Sequence, residues 1–353
     1  MNKSTRKLQG AVPDHVLHMM IDLDQVLGVE HKHVNPASLN LPLSEEMWRI
    51  ERFILPDIGE KIGDLVRTKY QGRPHSFSHP LEVGVQYLIR IKTTLALKDG
   101  EYGFFNPRST TGRTFLHVRV VADGVPRYDS LPANFDGDIW LLVKNDIFPC
   151  LLLEDDELVQ LRLFYSDTRL GETALRKLYT KEPLLCNGSG KPYLYRDLAI
   201  RDNDGSLVMT LAIPKGFAGW RTKFTSKLVK FSKKNNAEDF FDQVASKDGT
   251  LDLDSRTGLI LSTKEVLWVP NTMAAEGVRV DDRAGNYMSH RAGYFDPGFR
   301  GTITLEITGA SETIRDGTSA LKVKYESLTS PAANPYSQGY SGQTAPLLGR
   351  NFV

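Results

Sequence analysis

Most apolar segments of the chain are short and alternate with polar residues. Examples are QYLIRIKTTLAL (86–97), TFLHVRVVA (114–122), DIWLLV (138–143) and TITLEI (302–307), each bounded by Gly, Pro, Asn or Asp. Alternating runs of this length between turn residues are typical of β-strands. The pattern therefore predicts a mainly β protein.

Three segments have helical rather than alternating periodicity: residues 13–28, 166–181 and 221–245. In the third, Phe224, Leu228 and Phe231 fall on one stripe and lysines lie elsewhere, which predicts an amphipathic helix. Its basic run could bind phosphate, but a solvated helix face is the commoner meaning of such a pattern. We expect a few peripheral helices around a β body.

The order of landmarks in residues 30–165 recurs in residues 200–325, which predicts a tandem duplication. The matched segments are 36–41 with 205–211, 100–107 with 263–270, 134–143 with 298–307, and 162–166 with 322–327. The length of 353 residues also exceeds what one core usually supports. Because Gly, Ser and Pro cluster in 179–192, we predict domains at 1–182 and 183–353.

Composition and charge exclude several classes of protein. Lys+Arg number 44 and Asp+Glu number 43, so no field of one sign would attract nucleic acid. No segment approaches the roughly 20 apolar residues that span a bilayer. With only Cys150 and Cys186, neither a disulfide framework nor a Cys-rich zinc site is expected. We expect a cytoplasmic protein with no nucleic-acid or membrane partner.

The segment FNPRSTTGR (105–113) concentrates groups that bind anions. It contains Arg108 and Arg113 together with Ser109, Thr110, Thr111 and the backbone of Gly112. Arginine gives charge-assisted hydrogen bonds in a fixed fork, and glycine lets backbone N–H groups approach anionic oxygens. A polyphosphate site and a solvated turn with two surface arginines explain the spacing equally well.

A second motif, YFDPGFRGTITLEI (294–307), places a glutamate in the middle of a strand. Alternation puts Ile303 and Leu305 on one face and Thr302, Thr304 and Glu306 on the other. A carboxyl group that faces a closed cleft is desolvated, which raises its pKa toward neutrality and lets it both accept and return a proton. The simpler alternative is that Glu306 faces water.

The duplicated copies differ at both motifs. The first copy has Leu142 where the second has Glu306, and the second copy has RVDDR (279–283) where the first has its arginine loop. The aspartates of RVDDR would repel a triphosphate. One half thus carries an anion-binding loop and the other a proton-transfer group, which predicts a composite site between two domains.

Together these residues resemble the dCTP deaminase and dUTPase superfamily, specifically its double-length bacterial dCTP deaminases. The family's R-S-S segment with a second arginine shortly after it, which binds the triphosphate and helps catalysis, is matched by Arg108, Ser109, Thr110 and Arg113. Its D-P-G-x-x-G-x-I-x-L-E-F hairpin, which cradles cytosine, is matched by residues 296–307 with Glu306 in the place of the catalytic acid. The resemblance implies two tandem distorted β-barrels of the dUTPase type.

The family's closing tail also has a counterpart, because its P-A-A-x-P-Y and Y-x-x-Q elements are matched by residues 331–336 and by Tyr340 and Gln343. By this resemblance the catalytic residues are Glu306, Ser109 and Arg113. The substrate-binding residues are Arg108, Thr110, Ala292, Asp296, Tyr336, Tyr340 and Gln343. The polar, Gly- and Pro-rich composition of the tail suits a lid that orders on nucleotide, and a frayed terminus is the alternative.

The resemblance implies hydrolytic deamination of dCTP to dUTP and ammonia, which supplies dUTP for dTTP synthesis. Glu306 would carry protons, Ser109 would position the water, and Arg113 would hold the phosphates. Zinc deaminases instead use H-x-E and P-C-x-x-C motifs, which two isolated cysteines cannot provide. Mg²⁺ is expected only as a companion of the triphosphate. Because single-domain members form trimers with shared sites, a homo-oligomer is expected.

Two other functions fit the same motifs. In a dUTP diphosphatase an aspartate activates water for attack on the α-phosphate, and Asp296 occupies that position, although Pro297-Gly298 is the deaminase version of the hairpin. A bifunctional enzyme that performs both steps stays open. A nucleotide-sensing protein without turnover is the other alternative, but binding alone would not require a buried acid.

Overall fold

The computed structural model describes residues 8–198, 200–280, 287–288, 291–309 and 311–353, with backbone only at 287–288. Within these residues, four α-helices lie outside the sheets: α1 (Asp14–Asp22), α2 (Ile62–Thr68), α3 (Ser109–Arg113) and α4 (Glu172–Lys181). Short 3₁₀ turns span His31–His33, Tyr195–Asp197 and Ala237–Asp239. Strands account for most of the remaining regular structure, as the alternating sequence pattern predicted.

The first half of the chain forms one ten-stranded sheet. Its strands are β1 (Val26–Leu27), β2 (Val34–Asn35), β3 (Ser38–Ile50), β4 (Arg73–Pro74), β5 (Gln86–Ala96), β6 (Tyr102–Pro107), β7 (Leu116–Ala122), β8 (Ser130–Leu131), β9 (Asp136–Asn145) and β11 (Glu157–Phe164), with β10 (Cys150–Leu151) outside the sheet. The pairing order is β7-β9-β5-β3-β11-β6-β8. The long strand β3 pairs with both β5 and β11, which bends the sheet around one core.

The second half repeats this arrangement with strands β12 to β24. They are β12 (Leu185–Cys186), β13 (Ser206–Ala212), β14 (Gly216–Thr222), β15 (Val229–Lys230), β16 (Phe241–Ser246), β17 (Thr250–Asp252), β18 (Leu259–Trp268), β19 (Met273–Val278), β20 (Tyr287–Met288), β21 (Tyr294–Phe295), β22 (Arg300–Gly309), β23 (Thr313–Arg315) and β24 (Ser319–Ser327). Its larger sheet has the order β16-β14-β18-β13-β24-β19-β21, and β22 pairs with β18. Each half is a distorted β-barrel, so the predicted fold class is confirmed.

The pairing pattern tests the four segment matches that predicted the duplication. β9 pairs with β5 as β22 pairs with β18, and β11 pairs with β6 as β24 pairs with β19. Three of the matches therefore join equivalent strands, but the match of 100–107 with 263–270 is wrong. Residues 263–270 continue β18, the counterpart of β5, whereas the counterpart of β6 is β19. Similar composition misled the comparison, because only hydrogen-bond partners distinguish one buried strand from another.

Two hydrophobic cores fill the barrels. The first gathers residues of β3, β5, β9 and β11, and the second gathers residues of β13, β18, β22 and β24. Helices within 13–28 and 166–181 are confirmed as α1 and α4. Leu175 and Tyr179 of α4 pack in the second core, and the exact division of the chain after residue 182 stays a prediction. No helix among the described residues combines the length and the apolar character that crossing a bilayer requires.

The predicted amphipathic helix over 221–245 is wrong. This segment runs from the end of β14 through β15 and a 3₁₀ turn into β16. Val229 and Phe231 are buried, Lys230 between them is exposed, and Phe224 is 73% exposed. The alternation fits the short parallel pairing of β15 with β10 of the first half. Contacts with the other barrel therefore override a local pattern that also fits a helix.

The same segment holds the C-terminus against the first barrel. The amide of Asn235 donates to the carbonyl of Asn351 at 2.8 Å, and the amide of Val353 donates to the carbonyl of Asn235 at 2.9 Å. Phe352 is 7% exposed and makes edge contacts with Phe240 and Phe241, whose side chains belong to the first core. The end of the second half is therefore tied to the first half.

Phe352→Ala is expected to reduce the free energy of unfolding by about 3 kcal/mol, because it removes a buried aromatic ring and leaves a cavity against Phe240 and Phe241. Urea unfolding followed by fluorescence measures the change. Val353→Ala is the matched control, since Val353 is 69% exposed, and its expected change is below about 0.5 kcal/mol. Equal stability of the two variants would show that Phe352 does not contribute to the core.

Candidate active site between the two halves

A cavity of about 220 Å³ lies where the two barrels meet. Nearly all the residues proposed from the sequence line it: Arg108, Ser109, Thr110 and Arg113 from the first half, and Asp296, Tyr336, Tyr340 and Gln343 from the second. The exceptions are Glu306 and Ala292. Glu306 contacts Arg113, and the buried Ala292 follows Arg291, whose amide binds Glu306. The two motifs therefore meet within a single chain.

The arginine loop of the first half forms a single helical turn, α3, directly after β6. Thr111 is fully buried and donates its hydroxyl to the carbonyl of Leu158 at 2.8 Å, and the amide of Arg108 donates to the same carbonyl at 2.9 Å. These bonds fix α3 on the edge of β11. Ser109, Thr110 and Arg113 consequently project into the cavity.

Glu306 lies in the middle of β22, opposite Ile260 of β18, and is only 1% exposed. The predicted alternation is confirmed, because Ile303, Leu305 and Ile307 belong to the second core. One carboxylate oxygen of Glu306 accepts from the Arg291 amide at 3.1 Å, and the other lies 3.9 Å from Nε of Arg113. The alternative in which Glu306 faces water is excluded.

Gly112 allows α3 to approach this carboxylate. A Cβ atom at position 112 would lie 3.3 Å from the Cδ atom of Glu306 and 3.3 Å from Cβ of Arg291. Such contacts are tighter than Cβ atoms normally make, so a larger residue at position 112 would require Glu306 or Arg291 to shift by a few tenths of an ångström. The glycine of the RSTTGR motif thus permits the close approach of α3 to Glu306.

Arg113 joins α3 to the C-terminal tail and is 3% exposed. Its guanidinium donates to the carbonyl of Leu347 at 3.1 Å and to Oε1 of Gln343 at 3.3 Å, and its Cζ atom lies 3.7 Å from the centroid of the Tyr340 ring. Burial lowers the pKa of Arg113, while the nearby Tyr340 and Glu306 counteract this effect. Arginine nevertheless stays protonated in proteins, so a positive charge stands beside Glu306.

The tail packs over the cavity. Tyr336 donates its amide to the carbonyl of Pro297 at 2.7 Å, and its hydroxyl accepts from the amide of Tyr340 at 3.1 Å. Gln343 is 7% exposed, and its backbone carbonyl accepts from the Thr302 amide at 2.9 Å. These contacts contradict a frayed terminus. Whether the tail orders on nucleotide stays a prediction.

The start of this tail is tied to the first half through a buried carboxylate that the sequence did not indicate. Asp14 of α1 accepts from the amide of Ala333 at 2.8 Å and from the amide of Asn334 at 2.7 Å. Burial acts against ionisation, but these N–H donors outweigh it and lower the pKa of Asp14. The tail therefore crosses the site between two attachments to the first barrel.

Asp296 is a carboxyl group whose surroundings disfavour its charge. Burial raises its pKa to about 7, although the amide of Ala37 at 3.3 Å and the hydroxyl of Ser38 at 3.5 Å favour the ionised form. Both donors belong to the first half, so the contact also links the barrels. A carboxyl group with a pKa near neutrality can be either donor or acceptor toward a ligand hydroxyl.

The raised pKa predicts a pH-dependent stability. Unfolding returns Asp296 to its ordinary pKa, so the unfolded chain releases this proton at a lower pH than the folded protein does. The free energy of unfolding therefore falls as the pH rises, until the pH exceeds the folded pKa of about 7. Relative to Asp296→Asn, the wild type is expected to lose roughly 2–3 kcal/mol between pH 5 and pH 8. Urea unfolding of both proteins across this range tests it, and parallel pH profiles would contradict it.

Arg108 has a partner outside the cavity. Its guanidinium is paired with the carboxylate of Glu157 and donates to the Glu157 carbonyl at 3.2 Å. Nε2 of His33 lies 3.5 Å from the same carboxylate. Arg108 therefore lines the cavity with part of its charge already compensated by Glu157.

Several functional candidates were missed by the sequence interpretation. Arg350 lines the cavity near Tyr340, and Asn35, Asn40 and Gln160 of the first half line it as well. Arg291 binds Glu306 through its amide and Asp146 of the first half through its guanidinium at 3.2 Å. Among these residues, the sequence could have indicated only Arg350, because it is the single lysine or arginine in the tail, residues 331–353. Of the RVDDR segment, residues 281–283 lie outside the described residues.

Groups suited to a metal ion are sparse in this region. Across the described ranges, which omit 281–286 and 289–290, no cluster of three or more His, Cys, Asp or Glu side chains is arranged to hold a metal ion. Cys150 and Cys186 are buried and form no disulfide. Among the described lining residues of the cavity, Asp296 is the one carboxylate.

Comparisons with known proteins identify the family of the chain. Residues 8–167 match the family model described as "2'-deoxycytidine 5'-triphosphate deaminase (DCD) N-terminal domain", and residues 172–347 match the model of its C-terminal domain. A crystal structure of 2'-deoxycytidine 5'-triphosphate deaminase from Agrobacterium tumefaciens has a TM-score of 0.83 at 25% identity, and the match covers 92% of this chain and 99% of that one.

Two curated relatives are both named dCTP deaminase, dUMP-forming. The protein from Methanothermobacter thermautotrophicus is 29% identical over 150 residues, which is 40% of this chain and 76% of the relative. The protein from Methanosphaera stadtmanae is 34% identical over 101 residues, which is 26% of this chain and about half, 51%, of the relative. With both domain models matched in order, the chain belongs to the 2'-deoxycytidine 5'-triphosphate deaminase family.

Proposed function

We propose that this protein hydrolyses the 4-amino group of dCTP, giving dUTP and ammonia, with Glu306 as the proton carrier and without zinc. The observation that carries the proposal is the meeting of a buried carboxylate from one barrel with a hydroxyl and guanidinium cluster from the other. Glu306 is 1% exposed and lies 3.9 Å from Arg113, at the end of the turn that begins with Ser109. Binding alone would not require this acid.

The reaction needs a nucleophile, a proton at N3 and a protonated leaving group. Glu306 takes a proton from water as the water oxygen bonds to C4, and it passes that proton to N3. The tetrahedral intermediate then collapses to the C4 carbonyl, and the amino group leaves as ammonia after Glu306 has transferred the second water-derived proton to it. Ser109 orients the attacking water. The positive charge of Arg113 stabilises the ionised form of Glu306.

The cavity lining suits a deoxynucleoside triphosphate. Arg108, Arg113 and the hydroxyls of Ser109 and Thr110 supply donors for phosphate oxygens. Asp296 is suited to the deoxyribose hydroxyl, and Tyr336 borders the space for the base and sugar. Ala292 does not line the cavity, and its proposed contact with the substrate rests on the resemblance alone. Tyr340 and Gln343 hold Arg113 in place from the tail. Mg²⁺ would be carried by the phosphates, since the described lining offers only one carboxylate.

Location and assembly follow from the same proposal. The dUTP product would feed dTTP synthesis, which suits a cytoplasmic enzyme. One chain brings both motifs together, so a partner chain is not needed to join Glu306 to Arg113. The homo-oligomer expected from the resemblance is therefore proposed as a support for the barrels rather than as a requirement for this contact.

A bifunctional dCTP deaminase that also forms dUMP is the second candidate, because the curated relatives are named dUMP-forming and Asp296 lines the cavity. Assays of the purified protein with dCTP, dCMP and CTP, measuring ammonia and pyrophosphate separately, distinguish the functions. Ammonia alone supports the deaminase, and ammonia with pyrophosphate supports the bifunctional enzyme. Nucleotide binding without either product would favour a sensor and refute the proposal.

A further inference from the structure

Arg350 is a cation at the cavity that the proposed mechanism does not use. It lines the cavity together with Arg108 and Arg113, but it is exposed, whereas Arg113 is 3% exposed. The three arginines therefore differ in exposure: Arg113, beside Glu306, is buried, Arg108 is half-buried, and Arg350 is exposed. A ligand with several negative charges in a row fits such a set of arginines.

The backbone around Arg350 is built to hold its side chain in place. Its amide donates to the Tyr340 hydroxyl at 3.1 Å, and its Cζ atom lies over the Tyr340 ring at 5.1 Å from the centroid. The same ring lies 3.7 Å from the Cζ atom of Arg113. Tyr340 therefore positions two guanidinium groups, one through stacking alone and the other through stacking and a backbone hydrogen bond.

Gly339 provides the space for this guanidinium. Its φ of +80° lies in the left-handed region, and a Cβ atom there would be 2.5 Å from Nη2 of Arg350 and 2.2 Å from the Tyr336 hydroxyl. No side chain at 339 fits without displacing both groups. The Arg350 guanidinium thus stands directly against the turn between Tyr336 and Tyr340.

The charge of Arg350 is less compensated than that of its two neighbours. Arg113 is near Glu306, and Arg108 is paired with Glu157. Within the described part of the chain, no carboxylate lies within 4 Å of the Arg350 guanidinium, and Nζ of Lys234 donates to the Arg350 carbonyl at 2.5 Å. An exposed guanidinium that lines the cavity without a paired acid attracts an anion.

We infer that Arg350 is a substrate-binding residue that contacts the outer phosphates of the nucleoside triphosphate. The inference rests on the proposed function, in that the triphosphate occupies this cavity. Arg113 then holds the phosphate nearest the reacting base, and Arg350 binds the phosphates at the exposed end. Arg350 accordingly contributes to the preference for a triphosphate over a monophosphate.

Arg350→Gln tests this role, because it removes the charge and keeps the backbone amide that binds Tyr340. The KM for dCTP is expected to rise about tenfold or more, as for the loss of a charge-assisted hydrogen bond, while kcat changes less than about threefold. Arg256→Gln is the matched control, since its exposed side chain pairs with Asp254 and does not line the cavity. It should leave the KM within about twofold.

Binding without turnover separates this inference from the deaminase proposal. Calorimetry compares dCTP and dCMP binding to Glu306→Gln and to Glu306→Gln carrying Arg350→Gln. A loss of about tenfold or more for dCTP with less than about twofold for dCMP supports the outer-phosphate contact. Equal losses for both nucleotides, or no loss for dCTP, overturn it. A wild type that binds dCTP and releases no ammonia refutes the deaminase proposal and leaves this comparison valid.

Discussion

Glu306→Gln is expected to bind dCTP about as tightly as the wild type and to form dUTP at least about a thousandfold more slowly. The amide retains the shape of the carboxylate and an oxygen that accepts from the Arg291 amide, so Arg291 keeps the position from which its guanidinium contacts Asp146 of the first half. It cannot take a proton from water or deliver one to N3. General acid–base groups contribute about 10²–10⁴ in rate, and Glu306 would serve more than one transfer.

Ammonia release and calorimetric titration with dCTP measure the two parts of this prediction. Glu238→Gln is a suitable control, because Glu238 is an exposed residue of a 3₁₀ turn and does not line the cavity. Its activity should stay within about twofold of the wild type. Undiminished turnover by Glu306→Gln would remove this residue from the mechanism, and loss of dCTP binding would assign it a binding role instead.

Arg113→Lys is expected to lower kcat/KM for dCTP by about a hundredfold or more, although the charge is kept. The lysine ammonium is a compact charge without the planar fork of arginine. It cannot contact the Leu347 carbonyl and Gln343 and also stack on Tyr340, as the guanidinium does. Both kinetic parameters should change: KM should rise because phosphate contacts are lost, and kcat should fall because the positive field at Glu306 is weaker.

Steady-state kinetics with dCTP measures this effect, and protease cleavage after residue 336 reports whether the tail has loosened. Arg90→Lys is the control, since Arg90 donates to both carboxylate oxygens of Asp138 at 2.9 Å and lies outside the cavity lining. It should change kcat/KM by less than about threefold. Equal activity of Arg113→Lys and the wild type would show that the charge alone is sufficient at this position.

Local chemistry made much of the site predictable from the sequence. The donor-rich turn at Arg108–Arg113 and the alternating strand with Glu306 in its middle each form a recognisable pattern within a short segment, and the structure brings the turn and the strand to one cavity. The asymmetry between Leu142 and Glu306 also predicted that the two barrels contribute different groups. These residues could be recognised because each lies in a contiguous segment whose neighbouring residues complete the motif.

Residues whose role depends on distant partners were not recognisable. Asp14 holds the start of the tail through amides more than 300 positions away. Arg350 lies beside Gly339 only because the tail folds back. The predicted helix over 221–245 was wrong for the same reason. Its lysines and aromatic residues fit the pattern of an amphipathic helix, but Val229 and Phe231 pack in the core of the first barrel.

The sequence by itself determined a mainly β chain with two similar halves, and it placed the arginine-rich loop and the strand glutamate in different halves, because alternation and turn residues act over a few positions. The barrel form followed from the family resemblance. Only the tertiary structure decided how closely Arg113 approaches Glu306, which pKa values shift, and where the tail is attached. Those properties arise from burial and contact between the barrels, and desolvation of a carboxyl group such as Asp296 depends on everything that surrounds it.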